Sequence, residues 1–278
     1  VKPEFTVSNR NKKPTGGEKR GGYIKQSAPG SPLISVITAV LNARNDLENA
    51  IKEVQGQTYA NVEHIIIDGG STDGTAEVLR RNDAEVDYWI SEADMGIYDA
   101  MNKGVEAAAG EWIYFLGADD AFYSPDTLRL VFEDQWIPDE VAVLLGSVMY
   151  PDGRLFKSRF AKSMYFKNTI HHQGVFYRYN LFEGFRYGAS ALAGCARHYY
   201  ISGDYQLNFM LFLRGVQYVH VNQIIAKCGR GLSMQGKLLG YLEEICIRHK
   251  YLGFFKAMFF DAFTLLRYLY KRIEKTAV

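Results

Sequence analysis

The chain has 278 residues, 47% hydrophobic and 23% charged, which suits one large α/β domain with a small appendage and excludes wholesale disorder. Its net charge of +1 is unevenly spread: residues 1–31 carry 7 Lys/Arg against 2 Asp/Glu, residues 227–278 carry 10 against 4, and the middle carries 15 against 25. An acidic centre between basic ends argues against a nucleic-acid partner, which would need its basic charge on the folded face, and is compatible with an anionic membrane surface.

Residues 1–31 are rich in Gly, Lys, Asn and Ser without apolar periodicity; they read as a disordered basic tail that lacks the apolar stretch of a signal peptide. Leu33–Val40 is a β-branched strand, and the helix expected over Asp46–Gln57 puts Leu47, Ala50, Ile51 and Val54 on one face. A second strand, Glu63–Ile67, ends at Asp68-Gly69-Gly70-Ser71-Thr72-Asp73-Gly74, and Thr75–Arg81 is helical. The third, Tyr88–Ile90, leads through Ser91-Glu92-Ala93-Asp94-Met95-Gly96 into a helix over Ile97–Ala109. The fourth, Trp112–Leu116, stops at Gly117-Ala118-Asp119-Asp120. This alternation predicts crossover connections and a mostly parallel central sheet flanked by helices. Its strand ends at Asp68, Asp94 and Asp119/Asp120 then share one side, where open α/β folds place ligands. Two adjacent carboxylates repel unless a cation or proton lies between them, and Mg²⁺ or Mn²⁺ shared with a substrate phosphate relieves that repulsion. A helix N-cap or a solvated turn is the other reading of the same residues. Cys195, Cys228 and Cys246 form no CxxC pair and fit a reducing cytoplasm better than a zinc site or a disulfide framework.

Ser35–Asn42, Ile66–Thr75, Ser91–Gly104, Tyr114–Asp120, His172–Tyr177 and Ile201–Tyr205, in this order and spacing, resemble family 2 glycosyltransferases over roughly residues 32–210, and most closely bacterial enzymes that build capsule, exopolysaccharide or O-antigen. The resemblance implies a GT-A, Rossmann-like nucleotide-sugar-binding fold and an inverting, metal-dependent transfer from a UDP-sugar or similar donor to a glycan or lipid-linked glycan. It places Thr38, Asp68 and Asp73 at the donor base and ribose, with Asp94 and Lys103 on the sugar and diphosphate side. Asp120 is the implied direct ligand of Mn²⁺ or Mg²⁺, with Asp119 on ribose or metal-bound water. Gly117 and Ala118 depart from the fuller acidic motif of relatives. Asp204 falls where the family carries its general base. One such carboxylate suffices when the leaving group is a metal-bound diphosphate that needs no proton, whereas hydrolases normally need two. His172 is open between a phosphate or acceptor contact and a structural role. Helix capping is an alternative for Asp73, Asp94 and Asp204.

Residues 251–272 form an aromatic helix with basic ends, interrupted by Lys256, Asp261 and Arg267. An interfacial helix at the inner face of the plasma membrane fits better than a membrane span; a helix covering the catalytic core, or a dimer contact, is the alternative. The expected organisation is a tail to residue 31, a catalytic domain over 32–226 and a helical extension over 227–278. A catalytically silent sugar-nucleotide-binding scaffold and a nucleotidyltransferase are the rival readings.

Overall fold

The computed structural model describes residues 15–22, 24–188, 201–229 and 238–276. Strands β1 (Thr15–Gly16), β2 (Ile34–Val40), β3 (Val62–Asp68), β4 (Tyr88–Ser91) and β5 (Trp112–Phe115) alternate with helices α1 (Arg44–Gln55), α2 (Thr75–Arg81) and α3 (Ile97–Ala107). After β6 (Ala121–Phe122) and α4 (Thr127–Phe132) come β7 (Val143–Met149), β8 (Leu155–Lys157), β9 (Val175–Arg178), α5 (Gly203–Arg214), β10 (Tyr218–Lys227), α6 (Leu238–Leu252) and α7 (Phe254–Thr276). One sheet runs in the order β1-β4-β3-β2-β5-β9-β7-β10-β6, with β8 paired to β7.

The expected parallel sheet is present as β4-β3-β2-β5. The other half is mixed: β9 lies antiparallel to both β5 and β7, while β7 and β10 run parallel. The parallel strands are rich in Val and Ile because both faces are covered. Ile65 and Ile67 pack with Tyr98, Met101 and Val105 of α3, whereas Ile66, one pleat over, packs with Leu47 and Ile51 of α1 and Val78 and Leu79 of α2. Burial of each such side chain stabilises the fold by about 1.5–3 kcal/mol. Leu47, Ala50, Ile51 and Val54 are the buried face of α1, as their spacing predicts.

The tail expected to be disordered over residues 1–31 is docked from Thr15 onward; residues 1–14 lie outside the described residues. β1 pairs antiparallel with β4, and Gly16 is required there because a Cβ would stand 2.4 Å from the Trp89 indole nitrogen. Lys19 Nζ reaches Glu63 Oε2 at 2.6 Å and donates to Ala107 O at 2.7 Å. Glu63 is fully buried and also accepts from Ser35 Oγ at 2.5 Å and Ala109 N at 2.6 Å. Lys25 Nζ pairs with Asp87 Oδ1 at 2.8 Å. These two lysines act as internal partners of buried or nearly buried carboxylates, an interaction composition does not reveal.

At the C-terminus, α6 and α7 form a hairpin around Gly253, whose φ of 77° suits glycine. Fully buried Arg248 holds the two helices together, donating to Asp261 Oδ1 (3.1 Å) and Thr264 Oγ1 (2.7 Å), while His249 Nε2 lies 2.7 Å from Asp261 Oδ2. Ile247 of α6 packs with Tyr205 and Phe209 of α5, so the hairpin is continuous with the packing of the preceding helix. No helix among the described residues is long and apolar enough to cross a membrane. Cys228 is a free thiol, but Cys246 is disulfide-bonded, contrary to the expectation of reduced cysteines. Cys195 lies outside the described residues.

Candidate active site

The ends of β2 and β3 are stitched to each other before any ligand is considered. Asn42, the one non-glycine residue with positive φ (53°) among the described residues, donates its N–H to Ser71 Oγ (2.7 Å) and accepts from Thr72 N (3.0 Å). Asn tolerates that left-handed conformation better than most side chains. Asp73 accepts from the N–H of Arg44 and of Thr75, both at 3.0 Å, so one carboxylate ties the starts of α1 and α2. The Thr75 hydroxyl, against an opposing effect of desolvation and with help from these N–H groups and the local backbone, holds its carboxyl below the usual range. Asp68 is fully buried at the end of β3 and accepts from Ser71 N (3.2 Å) and Ser91 Oγ (2.6 Å) as well as from the Ser71 hydroxyl. Both carboxylates therefore organise turns.

Thr38 departs from its expected place at the donor base. It is fully buried in β2, with its hydroxyl 2.9 Å from His64 Nε2. Burial lowers His64 to about 3, leaving a neutral imidazole inside the sheet. Thr38 is an interior partner of that ring.

Asp94 caps the turn into α3 by accepting from Gly96 N at 2.8 Å. Its Oδ2 lies where a Cβ on Gly69 would approach to 2.5 Å, so the second and third strand-end loops are in contact because residue 69 is glycine. Burial raises the Asp94 carboxyl, and the charges of Asp99 and Asp68 push the same way. Lys103, implied on the diphosphate side, pairs its ammonium with Glu92 at 2.9 Å and Asp99 at 3.3 Å.

Asp119 and Asp120 follow β5 in a turn closed by Asp120 N donating to Gly117 O at 3.1 Å. Asp119 is exposed. Asp120 is only 7% exposed, and accepts from Gln173 Nε2 (2.7 Å) on one oxygen and Gly229 N (2.8 Å) on the other. Burial raises the Asp120 carboxyl; the Gly229 N–H opposes this and the Asp119 charge adds to it. A Cβ on Gly117 would stand 2.3 Å from Asp120 Oδ2, so the folded carboxylate fills the space that a larger residue at 117 would take. Gly229 closes against the pair in the same way, 2.1 Å from Asp119 O if given a Cβ. Beside them, burial and the two aspartates push the Cys228 thiol up to about 12, and burial holds His171 near 4.

No group of three or more His, Cys, Asp or Glu side chains among the described residues is placed to hold a metal. A hard divalent ion of the Mg²⁺ type does not need one, because it is commonly held by one or two carboxylates plus substrate phosphates. Exposed Asp119 beside Asp120, whose ionised form is disfavoured, fits that pattern. The exposures reverse the expected emphasis, since Asp119 is the more open of the two.

Asp204 sits in the first turn of α5. Asn168 Nδ2 donates to its Oδ2 at 2.8 Å, and the Tyr98 hydroxyl lies 3.3 Å from its Oδ1 while donating to Ile201 O at 2.8 Å. Burial raises the Asp204 carboxyl to about 6, against the lowering effect of the Tyr205 N–H, Tyr98 and Asn168. Burial and the Asp204 charge hold Tyr98 well above the usual range, so it stays a hydroxyl donor.

The segment from Asn168 to Gln173 joins the two centres, with Asn168 bonded to Asp204 and Gln173 to Asp120. Five residues span at most roughly 18 Å even when extended. Between them His172 stacks on Phe115 at 4.7 Å, with both ring nitrogens buried and unpartnered, and burial lowers it to about 3. His172 is thus a neutral, packed ring at the seam, not a cation facing phosphate. Gln173 and Tyr98 lay within motifs visible in the sequence; Asn168 and Gly229 carried no separate signal.

The family model for Glycosyl transferase family 2 matches residues 35–198. The PGL/p-HBAD biosynthesis glycosyltransferase of Mycobacterium bovis (strain BCG / Pasteur 1173P2) is 36% identical over 160 residues, covering 55% of this chain and 61% of that protein. The match therefore spans about three-fifths of that relative's length. Among solved structures, S. aureus TarS 1–349 in complex with UDP-GlcNAc aligns with a TM-score of 0.60 at 16% identity, over 78% of this chain and 65% of the other. Glucosyl-3-phosphoglycerate synthase from Mycobacterium tuberculosis, in complex with Mg²⁺ and UDP, aligns with a TM-score of 0.56 at 16% identity, over 79% of each chain. At these identities the structures show a shared GT-A fold.

Proposed function

The chain belongs to glycosyl transferase family 2, and from that premise we propose that it moves a sugar from a UDP-sugar, with inversion, to a glycan or lipid-linked glycan in cell-surface polysaccharide assembly. The observation that carries this reading is the Asn168–Gln173 segment, which sets a raised-pKa carboxylate at one end and a paired acidic turn at the other. Asp204 removes the proton of the acceptor hydroxyl as that oxygen attacks the anomeric carbon, and the bond to the nucleoside diphosphate breaks on the opposite side. A carboxyl of pKa about 6 is mostly ionised at neutral pH and still a competent base. Asn168 aims one of the Asp204 oxygens by donating to it, and the Tyr98 hydroxyl stands 3.3 Å from the other. Asp119 and Asp120 would hold Mn²⁺ or Mg²⁺, which would supply Lewis-acid neutralisation of the departing diphosphate. The stitched loops around Asn42, Asp68 and Asp73 present a rigid floor for the nucleotide, and Asp94 and the start of α3 line its sugar side. Structural neighbours captured with UDP-GlcNAc and with Mg²⁺ and UDP support the donor and metal assignments.

The lipid side of the proposal rests on α7. Phe255 (86% exposed), Phe259, Leu266, Tyr270 and Ile273 leave it with a long apolar face, beside a groove of about 570 Å³ lined by Tyr165, Leu213, Tyr251 and Phe260. With the basic charge of residues 227–278, this suits shallow binding to an anionic membrane carrying the acceptor.

The test is release of nucleoside diphosphate from a panel of UDP-, GDP- and dTDP-sugars with and without Mn²⁺, alongside calorimetric titration of UDP. Metal-dependent turnover of a UDP-sugar, weakened in Asp120→Ala, is the expected result. Absence of nucleotide binding and turnover throughout the panel would overturn it. Co-sedimentation with anionic but not neutral vesicles, lost in Phe255→Ser/Phe259→Ser, is expected for the membrane claim; no vesicle binding at low salt would remove it.

A further inference from the structure

Asp204 owes its place to the first turn of α5, and the group that holds that turn lies in the C-terminal hairpin. Ser202, the N-cap of α5, makes no side-chain capping bond; its hydroxyl donates instead to Gly240 O of α6 at 3.2 Å. The backbone N–H groups of Ile201 and Ser202 both donate to Glu243 Oε2 of α6, at 2.9 and 2.8 Å. Glu243 is 3% exposed. One turn earlier on the same helix, Gly240 lets α6 approach, since a Cβ there would come within 3.2 Å of Ile201 Cγ2. The carbonyl of Ile201 accepts the Tyr98 hydroxyl that also stands beside Asp204. Glu243, Ile201, Ser202, Tyr98 and Asp204 thus form one connected unit.

Burying a carboxylate is costly unless hydrogen bonds compensate, and a helix needing only to be covered is held adequately by apolar contact. Here the apolar contact exists separately, one turn further along, where Ile247 meets Tyr205 and Phe209. The carboxylate is instead placed at the positive end of α5, on two amides two and three residues before Asp204. The supporting helix is itself fixed in rotation and height by the buried Arg248–Asp261–Thr264 cluster and by Arg267, which donates to Phe166 O at 2.8 Å and to Glu244.

We propose that Glu243 is a positioning residue for the catalytic base, fixing the Ile201–Ser202 backbone so that Asp204 meets the acceptor hydroxyl, and that the C-terminal hairpin is therefore part of the catalytic apparatus. This rests on the reading of Asp204 as base. Misplacing a reacting group by an ångström costs on the order of 100-fold in rate, whereas the Asn42–Asp73 loops that form the nucleotide floor are tied by their own hydrogen bonds, Asn42 to Ser71 and Asp73 to Arg44.

The experiment uses the full chain, with turnover of whichever UDP-sugar the panel identifies and UDP with Mn²⁺ as the binding probe. Glu243→Ala lowers kcat by about 30- to 100-fold, with donor KM and UDP affinity within about threefold. Glu243→Gln, which keeps an oxygen for the two amides, retains kcat within about fivefold of the wild type, while Glu243→Asp, one methylene short, loses kcat nearly as far as alanine. In an Asp204→Asn background Glu243→Ala causes no further loss, because residues acting through one another are non-additive. The Gln and Asp variants carry the same comparison if the alanine variant does not fold. A Glu243→Ala enzyme with wild-type kcat, equal losses in Gln and Ala, or a further loss in the Asp204→Asn background would each overturn the proposal. Wild-type turnover in Asp204→Asn would remove the base assignment itself, a result distinguishable from failure of the clamp alone.

Discussion

Four carboxylates along this cleft fall into two pairs that the fold treats in opposite ways. Asp68 and Asp73, at the end of a parallel strand, are surrounded by amide and hydroxyl donors, and Asp73 is held below the usual carboxylate range. Asp120 and Asp204, flanking the Asn168–Gln173 segment, have fewer donors than burial requires, and both are raised. An anion satisfied by backbone stabilises structure. An anion whose burial is incompletely offset is relieved by a proton or a cation, which is what chemistry at a departing diphosphate uses. One residue type, repeated along one edge, thus separates into scaffold and reactive groups by its donors and its burial.

Substitutions sharpen this comparison if the two groups fail in different measurements. Asp204→Asn is expected to have the largest effect on rate, lowering turnover about 100- to 10,000-fold while UDP affinity stays within about twofold. The same substitution stabilises the folded chain at pH 7.5. The folded pKa of about 6 lies above the ordinary value of 3.8, so the contribution of this group to stability is full below about pH 4 and is lost as pH rises through 6. Asparagine imitates the protonated form, and thermal unfolding should show a gain of about 1–2 kcal/mol. Asp120→Ala comes next, with turnover lower by about 100- to 1,000-fold and the Mn²⁺ dependence of UDP binding weakened in calorimetry. Asp73→Ala has the smallest effect on chemistry and acts on stability: the thermal unfolding midpoint falls, as on loss of a helix cap, while turnover per folded molecule stays within about fivefold. Equal effects of Asp73→Ala and Asp120→Ala on both readouts would erase the distinction.

Much of this arrangement was legible in the chain. The apolar runs and the helical face of Leu47, Ala50, Ile51 and Val54 specified the parallel half, and Asp68, Asp94 and Asp119–Asp120 were correctly placed at its strand ends. The antiparallel half was not legible, because short strands such as Val175–Arg178 have no period that distinguishes direction. Lys19 and Lys25 looked like tail charge because their carboxylate partners, Glu63 and Asp87, lie tens of residues away. Thr38 and Lys103 lie in motifs visible in the sequence, but their side-chain partners, His64 and the pair Glu92 and Asp99, appear only once β3 and α3 are packed. Gly117 looked like a missing acid; the space it leaves is occupied by Asp120 itself.

The most direct test of Asp204 as the catalytic base is the pH dependence of kcat for nucleoside diphosphate release, measured on the wild type and Asp204→Asn from pH 4.5 to 9. The wild-type rate should fall about tenfold per unit below an acid limb near pH 6, and the variant should be slow and flat across that limb. A variant that keeps the limb and the wild-type rate would contradict the account, because the proton would then be taken by another group.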